Sequence, residues 1–402
     1  MKVLLSNKFY YPKGGSDIYM LELEKLLKTR GHEVAVFSMQ HPLNLKSEFS
    51  DYFPCEIDLN RQKVGKVTPA LIRPFGSAEV RKKFKSLLTD FKPDIVHLNN
   101  IHSQLSPILS VLAQSLKIPV VWTLHDHKLL CPRYDCMRRN KPCELCFYNK
   151  LNVIRYRCMK DSLMASLVAY AEAIIWNRRK ISRSTGIFIC PSVFLRDNLV
   201  KGGFDESQMV QLPNFIDEER INGSPVLRGE YYCFVGRLSK EKGIETLLKA
   251  AAELPQYNLK VIGSGPLENT LKENYSNFHN IEFLGHKSWD EVSTFLVNSM
   301  GMVIPSECYE NNPLSVIESL SCGTPVIGSG IGGIPELISE GKNGYIFETG
   351  NVDQLRDMIK KLFTGSLKIT NREIASDAIA KFSSTVYYDE LLKIYDKLVS
   401  NN

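Results

Sequence analysis

The sequence predicts an α/β protein made of two doubly wound, Rossmann-like parallel-sheet domains in series. Short apolar runs alternate with longer helical segments from end to end, a pattern typical of parallel sheets covered by helices. A chain of 402 residues is also too long for one ordinary hydrophobic core. A segment rich in Pro and Gly, 212–229, interrupts the periodicity and is the predicted linker between domains 1–211 and 230–383. Because open α/β sheets bind ligands beyond the carboxyl ends of their strands, we expect the two domains to face each other across a ligand-binding cleft.

The first half contains five predicted strands. They are short apolar runs, namely Lys2–Ser6, Glu33–Ser38, Asp94–Leu98, Pro119–Thr123 and Gly186–Cys190. A helix is predicted over Asp17–Thr29, because its apolar residues recur at helical spacing and Gly31 suits the position just after a helix end.

The second half repeats the pattern with six predicted strands. They are Tyr231–Val235, Asn258–Ile262, Asn280–Leu284, Gly301–Pro305, Thr324–Gly328 and Gly344–Phe347. Helical stretches such as Ile244–Glu253 separate them. An amphipathic helix, Ser384–Val399, is predicted within the C-terminal segment 384–402, which either ends the second domain or packs back on the first.

The composition favours a cytoplasmic globular protein. Hydrophobic residues make up 44% of the chain, and no run approaches the ~18 apolar residues that span a bilayer. The first residues become polar too soon for a signal peptide. In that setting the ten cysteines are expected to be reduced thiols or metal ligands rather than disulfides. The basic residues match no nucleic-acid-binding module.

The most informative motif is a pair of carboxylates, Glu310 and Glu318, on either side of a predicted loop-to-helix junction. Pro313 suits the first turn of this helix, and Gly323 stands where the helix would stop. The unpaired N–H groups and positive dipole end of a helix N-terminus attract an anion such as a diphosphate. Carboxylates beside it can hold sugar hydroxyls, although a lone pair of this kind is more often a loop charge and a solvated helix residue.

Two loops at predicted strand ends carry groups suited to phosphates. Arg237 and Lys242 flank a short loop after one strand, where two cations could clamp a leaving diphosphate. Gly14 and Gly15 precede the first helix, where a backbone without side chains can approach a phosphate closely. Taken alone, the first loop could equally be a solvated basic turn and the second an ordinary turn.

Two further loops are less specific. Gly263 lies between a predicted strand and a helix and resembles a phosphate-side turn. His286 follows the next strand, where backbone groups could pair with a nucleobase edge. An ordinary turn explains either loop as well.

A cluster of four cysteines, Cys131, Cys136, Cys143 and Cys146, lies within one insertion, 131–146. Four thiols have the ligand count of a tetrahedral structural zinc site, but the first two spacings are not those of a standard zinc finger. Bound zinc and a set of reduced thiols therefore both remain open, and an iron–sulfur cluster is a weaker third alternative.

The segment 147–183 combines apolar runs with eight basic residues against two acidic ones. It suits an anionic membrane surface, where each nearby Lys or Arg contributes about 1 kcal/mol of attraction. A helix rich in Leu, Met and Ala is, however, more often part of a core, which is the favoured alternative.

The motifs occur together in an order that resembles the retaining glycosyltransferases of family 4, which have the GT-B fold. The resemblance covers essentially the whole chain and rests on these stretches: Gly14-Gly15, Leu124-His125-Asp126, Val235-Gly236-Arg237-Leu238 with Lys242-Gly243, Glu310 with Glu318, Cys322-Gly323-Thr324-Pro325-Val326, and Gly332-Gly333-Ile334-Pro335-Glu336. Asn311-Asn312-Pro313 stands where most members have a stretch containing Phe-Gly, which bears on the donor sugar more than on the reaction.

The resemblance implies roles for particular residues. His125, Glu310, Arg237 and Lys242 would act at the reaction centre, with His125 beside the transferred sugar. Arg237 and Lys242 would bind the donor diphosphate, Gly15 would approach its phosphates, and Glu318 would bind the ribose. The complete implied donor site consists of Gly14, Gly15, Arg237, Lys242, Gly263, His286, Glu310, Asn311, Asn312, Pro313, Leu314 and Glu318.

The expected activity is metal-independent transfer of a sugar with retention of configuration. Fixed cations and helix N–H groups can stabilise a leaving nucleoside diphosphate without a divalent ion. The donor is expected to be a nucleotide sugar, with UDP favoured because it is common in the family. The expected acceptor is a saccharide or lipid-linked saccharide in bacterial surface-polysaccharide synthesis, which would place the enzyme in the cytoplasm, peripheral to the inner face of the membrane. A UDP-sugar epimerase and a non-catalytic sugar-nucleotide-binding subunit are the alternatives.

Overall fold

A computed structural model describes residues 1–57, 71–221, 228–365 and 367–400. The chain divides into two compact units. Unit 1 comprises Met1–Arg138, Cys143–Leu212 and Tyr388–Asn402, and unit 2 comprises Arg139–Pro142 and Pro213–Tyr387. The predicted linker, 212–229, begins at the boundary between Leu212 and Pro213, and its residues 222–227 lie outside the described part.

The strands in the described residues are, in chain order, β1 (Lys2–Ser6), β2 (Glu33–Phe37), β3 (Ile95–Leu98), β4 (Val120–Thr123), β5 (Met137–Arg138), β6 (Lys141–Pro142), β7 (Ile187–Cys190), β8 (Met209–Gln211), β9 (Tyr231–Val235), β10 (Asn258–Ile262), β11 (Ile281–Gly285), β12 (Met302–Ile304), β13 (Val326–Ser329) and β14 (Gly344–Phe347).

The α-helices in the same residues are α1 (Gly15–Thr29), α2 (Ala78–Phe91), α3 (Ile108–Ser115), α4 (Leu145–Tyr148), α5 (Asn152–Arg155), α6 (Leu163–Ile175), α7 (Arg178–Arg183), α8 (Val193–Lys201), α9 (Ile244–Ala252), α10 (Glu268–Asn274), α11 (Trp289–Val297), α12 (Leu314–Ser321), α13 (Ile334–Leu337), α14 (Val352–Phe363), α15 (Asn371–Phe382) and α16 (Ser384–Ser400). Short 3₁₀ turns include Arg73–Phe75 and Lys240–Lys242.

Unit 1 contains a six-stranded parallel sheet in the order β2-β1-β3-β4-β7-β8. The residues of β3, β4 and β7 are all buried, as expected for strands covered on both faces. The five predicted strands are confirmed, with ends shifted by at most one residue. β8 was not predicted, because three residues with one exposed Gln are too few to show a periodicity.

Unit 2 contains a second six-stranded parallel sheet in the order β11-β10-β9-β12-β13-β14. This is the strand order of a dinucleotide-binding Rossmann sheet, and the order reverses between β9 and β12. All six predicted strands are confirmed, with ends shifted by at most two residues. A ligand-binding site is therefore expected where the carboxyl ends of β9 and β12 meet.

The last helix, α16, contributes buried residues to unit 1 from Tyr388 onward. Tyr395 is fully buried, and its hydroxyl lies 2.6 Å from Nδ1 of His97 on β3. The hydroxyl of Tyr388 lies 2.8 Å from Nε2 of His32. These contacts attach the C-terminal residues to the first sheet.

The basic and apolar segment 147–183 contains the end of α4 and the whole of α5, α6 and α7. The core alternative is wrong for the large side chains of α6, since Leu163, Met164 and Leu167 are exposed. Its buried residues are small or polar instead: Ser166, Ala169 and Glu172. Among the described residues, no helix combines the length and the hydropathy needed to cross a membrane.

Candidate active site

Two loops come together in unit 2 at the point where the strand order reverses. One loop follows β9 and contains the 3₁₀ turn Lys240–Lys242, and the other follows β12 and leads to α12. Their backbones join directly, because the N–H of Glu307 donates a hydrogen bond to the carbonyl of Glu241 at 2.9 Å. The hydroxyl of Thr246, on α9, also donates to the carboxylate of Glu307 at 2.6 Å. The two loops therefore form one connected surface at the edge of the sheet.

An ion pair lies at the centre of this surface. Nζ of Lys242 lies 2.5 Å from Oε1 of Glu310, and the hydroxyl of Ser306 donates to the same oxygen at 2.6 Å. The side chain of Glu310 is only 13% exposed, whereas that of Lys242 keeps 33% of its surface exposed. A cation from one predicted motif and a carboxylate from another thus meet in space, 68 residues apart in sequence.

The pKa values of this pair favour the charged forms. Burial alone would raise the pKa of Glu310, but the ammonium of Lys242 and the Ser306 hydroxyl outweigh it and hold that pKa below its ordinary value. Burial likewise would lower the pKa of Lys242, and Glu310 outweighs it and raises that pKa. The site therefore presents a fixed cation beside a fixed anion at neutral pH.

Glycines permit the close backbone approach that positions this pair. Gly243 has φ +64°, and a Cβ at that residue would lie 1.8 Å from the carbonyl oxygen of Pro305. Gly332 has φ +62°, and a Cβ there would lie 2.3 Å from the carbonyl oxygen of Glu310. That same carbonyl accepts a hydrogen bond from the N–H of Gly333 at 2.7 Å. Side chains at these two glycines would displace the loop that carries Glu310.

Helix α12 begins at Leu314, after Asn311, Asn312 and Pro313. Pro313 is the N-cap residue, with φ −67° and ψ 119°, so its predicted place in the first helical turn is wrong by one residue. The side chain of this N-cap residue is a proline ring and makes no capping hydrogen bond, and the first N–H groups of such a helix end attract anions. Glu318 is half-buried farther along the same helix.

The two asparagines before α12 differ in their surroundings. Asn312 is buried, its Oδ1 accepts from the N–H of Asn214 at 2.8 Å, and its carbonyl accepts from Nδ2 of Asn214 at 2.7 Å. Asn311 is half-buried. Asn312 therefore holds this loop against Asn214 near the start of unit 2. A direct contact between Asn312 and the donor stays a prediction.

The remaining predicted donor residues of unit 2 lie along the same sheet edge. Arg237 is exposed directly after β9 and Gly236. Gly263 follows β10, and its N–H donates to the carbonyl of Gly285 at 2.8 Å. His286 is exposed one residue after β11, two strands from β9. Gly263 and His286 thus lie progressively farther from Lys242 along the row of strand ends.

In unit 1, the predicted glycine turn follows β1. Gly14 is the N-cap residue of α1, and its carbonyl accepts from the N–H of Asp17 at 3.0 Å. Nδ2 of Asn7 donates to the carboxylate of Asp17 at 2.8 Å, and the N–H of Asn100 donates to Oδ1 of Asn7 at 3.1 Å. Gly14 and Gly15 are thereby connected to the loop that follows β3, where the strand order of this sheet reverses.

His125 lies after β4 at the same edge of the unit 1 sheet. Its Nε2 lies 3.1 Å from Oδ1 of Asn99, and its ring packs edge-on against Tyr19 at 4.8 Å between centroids. Burial, together with a smaller effect of the nearby Lys8 ammonium, lowers the pKa of His125 to about 3. His125 is therefore a neutral imidazole at physiological pH.

Three of the four clustered cysteines affect one another's ionisation. The neighbouring thiols of Cys136 and Cys146 lower the pKa of Cys131, and Cys131 together with burial raises the pKa values of Cys136 and Cys146. The N–H of Cys143 donates to the carbonyl of Cys136 at 2.7 Å. No group of three or more His, Cys, Asp or Glu side chains in the described ranges is arranged to hold a metal ion. Zinc binding here stays a prediction.

The sequence motifs did not predict two supporting residues, Ser306 and Asn99, and they gave Gly332-Gly333 no role beyond the family resemblance. Ser306 and the Gly332-Gly333 turn hold Glu310, and Asn99 holds His125. Ser306 follows directly after the predicted strand 301–305, and Asn99 follows directly after 94–98. A polar residue at such a strand end is a signal that could have identified both, because functional side chains concentrate there in parallel sheets.

Each half of the chain matches the model of a known protein family. Residues 13–220 match the family model described as Glycosyltransferase Family 4, and residues 216–381 match the model described as Glycosyl transferases group 1. The first match alone spans more than half of the 402 residues.

Individual relatives agree with this assignment. The chain is 24% identical to N-acetyl-alpha-D-glucosaminyl L-malate synthase of Bacillus anthracis, over 97% of this chain and 98% of that protein. It is 28% identical to the sulfoquinovosyl transferase SQD2 of Arabidopsis thaliana over 73% of this chain, a match that spans only 54% of the plant protein.

A solved structure of Anabaena Alr3699/HepE in complex with UDP-glucose superposes with a TM-score of 0.70 at 17% identity, covering 99% of this chain and 100% of that one. This likeness establishes the fold as GT-B, with two Rossmann-like parallel-sheet domains. From the family match and the fold together, the chain belongs to Glycosyltransferase Family 4.

Proposed function

We propose that this protein is a retaining glycosyltransferase that moves a sugar from a nucleotide-sugar donor to a saccharide or lipid-linked saccharide. The observation that carries the proposal is the Lys242–Glu310 ion pair in the loops that lead to the N-terminus of α12. A diphosphate needs fixed positive charge, and a sugar needs hydrogen-bond acceptors, and this surface supplies both within one hydrogen-bonded unit.

The donor is assigned to unit 2 and is proposed to be a UDP-sugar. Arg237, Lys242 and the N–H groups of α12 would bind the diphosphate and stabilise its charge as it leaves. Glu310 would accept hydrogen bonds from the transferred sugar and Glu318 from the ribose. Support for UDP comes from the Anabaena structure, which is described as a complex with UDP-glucose. Because cations of the chain neutralise the leaving group, the proposed reaction needs no catalytic metal.

Arg237 and Lys242 would act electrostatically, and His125 would act as a neutral group. With its pKa lowered to about 3, the imidazole is neutral at pH 7. Its Nε2 donates to Oδ1 of Asn99, which leaves Nδ1 to accept one hydrogen bond from a sugar hydroxyl. Asn99 fixes its orientation. A positioning role is therefore proposed for His125, while the leaving phosphate oxygen assists deprotonation of the acceptor and the configuration is retained.

The acceptor and the cellular setting are proposed from the family resemblance. Many members extend lipid-linked saccharides at the inner face of the membrane, and surface-polysaccharide synthesis in bacteria is the proposed setting. This would make the protein a cytoplasmic enzyme that works beside a membrane.

The test compares two lysines of one turn. Purified wild type should release UDP from a UDP-sugar, slowly by hydrolysis and faster with a saccharide acceptor. Lys242→Ala should lower the rate by about 100-fold, since it removes a group that stabilises the leaving charge. Lys240→Ala changes an exposed lysine of the same 3₁₀ turn and serves as the matched control. Glu318→Ala should also weaken donor binding strongly.

Equal rates for wild type and the Lys242→Ala and Glu318→Ala variants, with donor limiting and saturating, would remove the assigned site. Nucleotide binding without any turnover or hydrolysis would favour a non-catalytic subunit. Conversion of the donor sugar to its epimer without transfer would favour an epimerase.

A further inference from the structure

The solvent-facing side of helix α6 is apolar throughout. At about 100° per residue, its large aliphatic side chains fall within an arc of about 140°, and this arc consists of Leu163, Met164, Leu167, Val168, Ala171, Ile174 and Ile175. The exposed fractions of the five most accessible residues range from 39% for Leu167 to 69% for Met164. We call this arc the α6 apolar face. It reverses the usual arrangement, in which a surface helix turns its apolar side toward the core.

The opposite side of α6 is fixed to unit 1 by polar contacts. The carboxylate of Glu172 accepts from Nζ of Lys128 at 2.9 Å and from the hydroxyl of Ser103 at 2.9 Å. The hydroxyl of Ser166 accepts from the N–H of Met159 at 3.2 Å. Because Glu172 and Lys128 are both nearly buried, rotation of the helix would leave two charges unpaired. The apolar face is therefore held outward by the fold.

Basic residues lie beyond both ends of this face. Arg155, Arg157 and Lys160 are exposed before α6, and Arg178, Arg179 and Lys180 are exposed after it. Asp161 and Glu172 are the acids between Arg155 and Lys180 in the sequence, and Glu172 is neutralised by Lys128. An apolar stripe about 20 Å long with cations at both ends matches the acyl boundary and anionic headgroups of a bilayer.

We propose that the α6 apolar face inserts into the surface of an anionic lipid bilayer and is the membrane-docking element of the protein. Charge complementarity decides between this occupant and a second copy of the chain, since two copies packed through this face would bring their basic ends together. This inference rests on the proposed function in one respect: a lipid-linked acceptor would lie at a membrane. The docking surface itself can be tested without a donor or acceptor.

The experiment measures flotation of the full-length chain with two kinds of vesicle: phosphatidylcholine alone, and phosphatidylcholine mixed with phosphatidylglycerol. Wild type should float with the mixed vesicles and not with the neutral ones, and added salt should weaken the binding. The double variant Met164→Glu/Ile175→Glu places charge on the apolar face and should lower affinity for the mixed vesicles at least about tenfold.

The matched control is Leu43→Glu/Leu116→Glu, which changes two leucines of unit 1 that are 64% and 50% exposed outside the segment. It should bind the mixed vesicles like wild type. Failure of wild type to float, or equal flotation of wild type and the Met164→Glu/Ile175→Glu variant, would overturn the proposal. A dimer in solution that this variant dissociates would overturn it in favour of self-association.

UDP-sugar hydrolysis without vesicles separates this test from the proposed function. The Met164→Glu/Ile175→Glu variant should hydrolyse donor at the wild-type rate, which also shows that it is folded. Loss of vesicle binding with intact hydrolysis supports the docking surface. Vesicle binding by a wild-type chain without hydrolysis would contradict the proposed function and leave the docking surface standing.

Discussion

Glu310 shows how several weak sequence signals become one site. Its carboxylate is held by Lys242 from the loop after β9 and by Ser306 from the loop after β12, and its carbonyl is held by Gly333. The sequence placed Lys242 and Glu310 at two strand ends of one sheet, but it did not specify their direct contact. The contact depends on the order β9-β12, in which strands distant in the chain become neighbours.

At this scale we predict that Glu310→Gln lowers stability in a pH-dependent way. The variant leaves the Lys242 ammonium without its anionic partner, and because a third of that side chain is exposed the loss should be about 1 kcal/mol at pH 7. The pKa of Glu310 is lowered in the folded state. Its contribution is therefore present above the ordinary carboxyl pKa of about 4.3 and is lost as the pH falls through the lower, folded value.

The measurement is the urea midpoint of wild type and of Glu310→Gln between acid and neutral pH. The difference between the two should be constant at neutral pH and should shrink as wild-type Glu310 becomes protonated. Glu348→Gln, a change at an exposed glutamate of the same unit, is the control and should leave the midpoint nearly unchanged. A difference that grows on acidification would contradict the assigned ion pair.

At the scale of elements, the turn after β13 acts as a support for the donor loop. We predict that Gly332→Ala lowers turnover by about tenfold or more, because its Cβ would overlap the Glu310 carbonyl and displace a positioned group. Gly350→Ala is the matched control, since Gly350 also has positive φ, at +77°, but has open space around its Cβ position. Steady-state kinetics of both variants should show a large loss only for Gly332→Ala. Equal losses of turnover in the two variants would mean that strain at a positive-φ residue, and not overlap with the Glu310 carbonyl, causes the effect.

The cysteine insertion is a second element whose role the sequence left open. We predict that protein purified without chelator contains about one zinc per chain, and that Cys143→Ser/Cys146→Ser removes the zinc and lowers the urea midpoint. Binding would require these side chains to rearrange, because the described residues contain no group arranged to hold a metal, and their thiols to be deprotonated. Cys55→Ser, at an exposed cysteine outside the cluster, should change neither quantity. Elemental analysis without metal would leave the set of reduced thiols as the explanation.

Predictability differed among elements for physical reasons. Buried parallel strands such as β9 and β14 consist mainly of continuous apolar runs, so their bounds followed directly from the sequence. α6 was favoured as a core helix because hydropathy alone does not reveal which face is packed. Its orientation depends on Glu172, whose partner Lys128 lies 44 residues away and carries no local signal.

At the scale of the whole molecule, the fold was predictable because it repeats one pattern twice, whereas the chemistry of the donor depends on a few side chains. Two Rossmann sheets with the observed strand orders provide the loops, and family membership follows from matches to both halves. The identity of the donor sugar does not follow from the fold. Asn311 and Asn312 stand where many members have another stretch, and the buried contacts of Asn312 with Asn214 give that position a structural role.

The last prediction concerns the choice of nucleotide. A donor that binds only the native state stabilises it by about 2.7 kcal/mol at a hundred times its dissociation constant, so a thermal-shift panel of UDP-, GDP-, ADP- and dTDP-sugars should single out the UDP-sugars. Lys242→Ala should abolish that shift while Lys240→Ala preserves it, because Lys242 contacts Glu310 within the proposed donor surface and Lys240 is exposed in the same turn. A shift with another nucleotide that shows the same dependence on Lys242 would keep the site and change the donor. A shift that persists in Lys242→Ala would place the donor elsewhere on the chain.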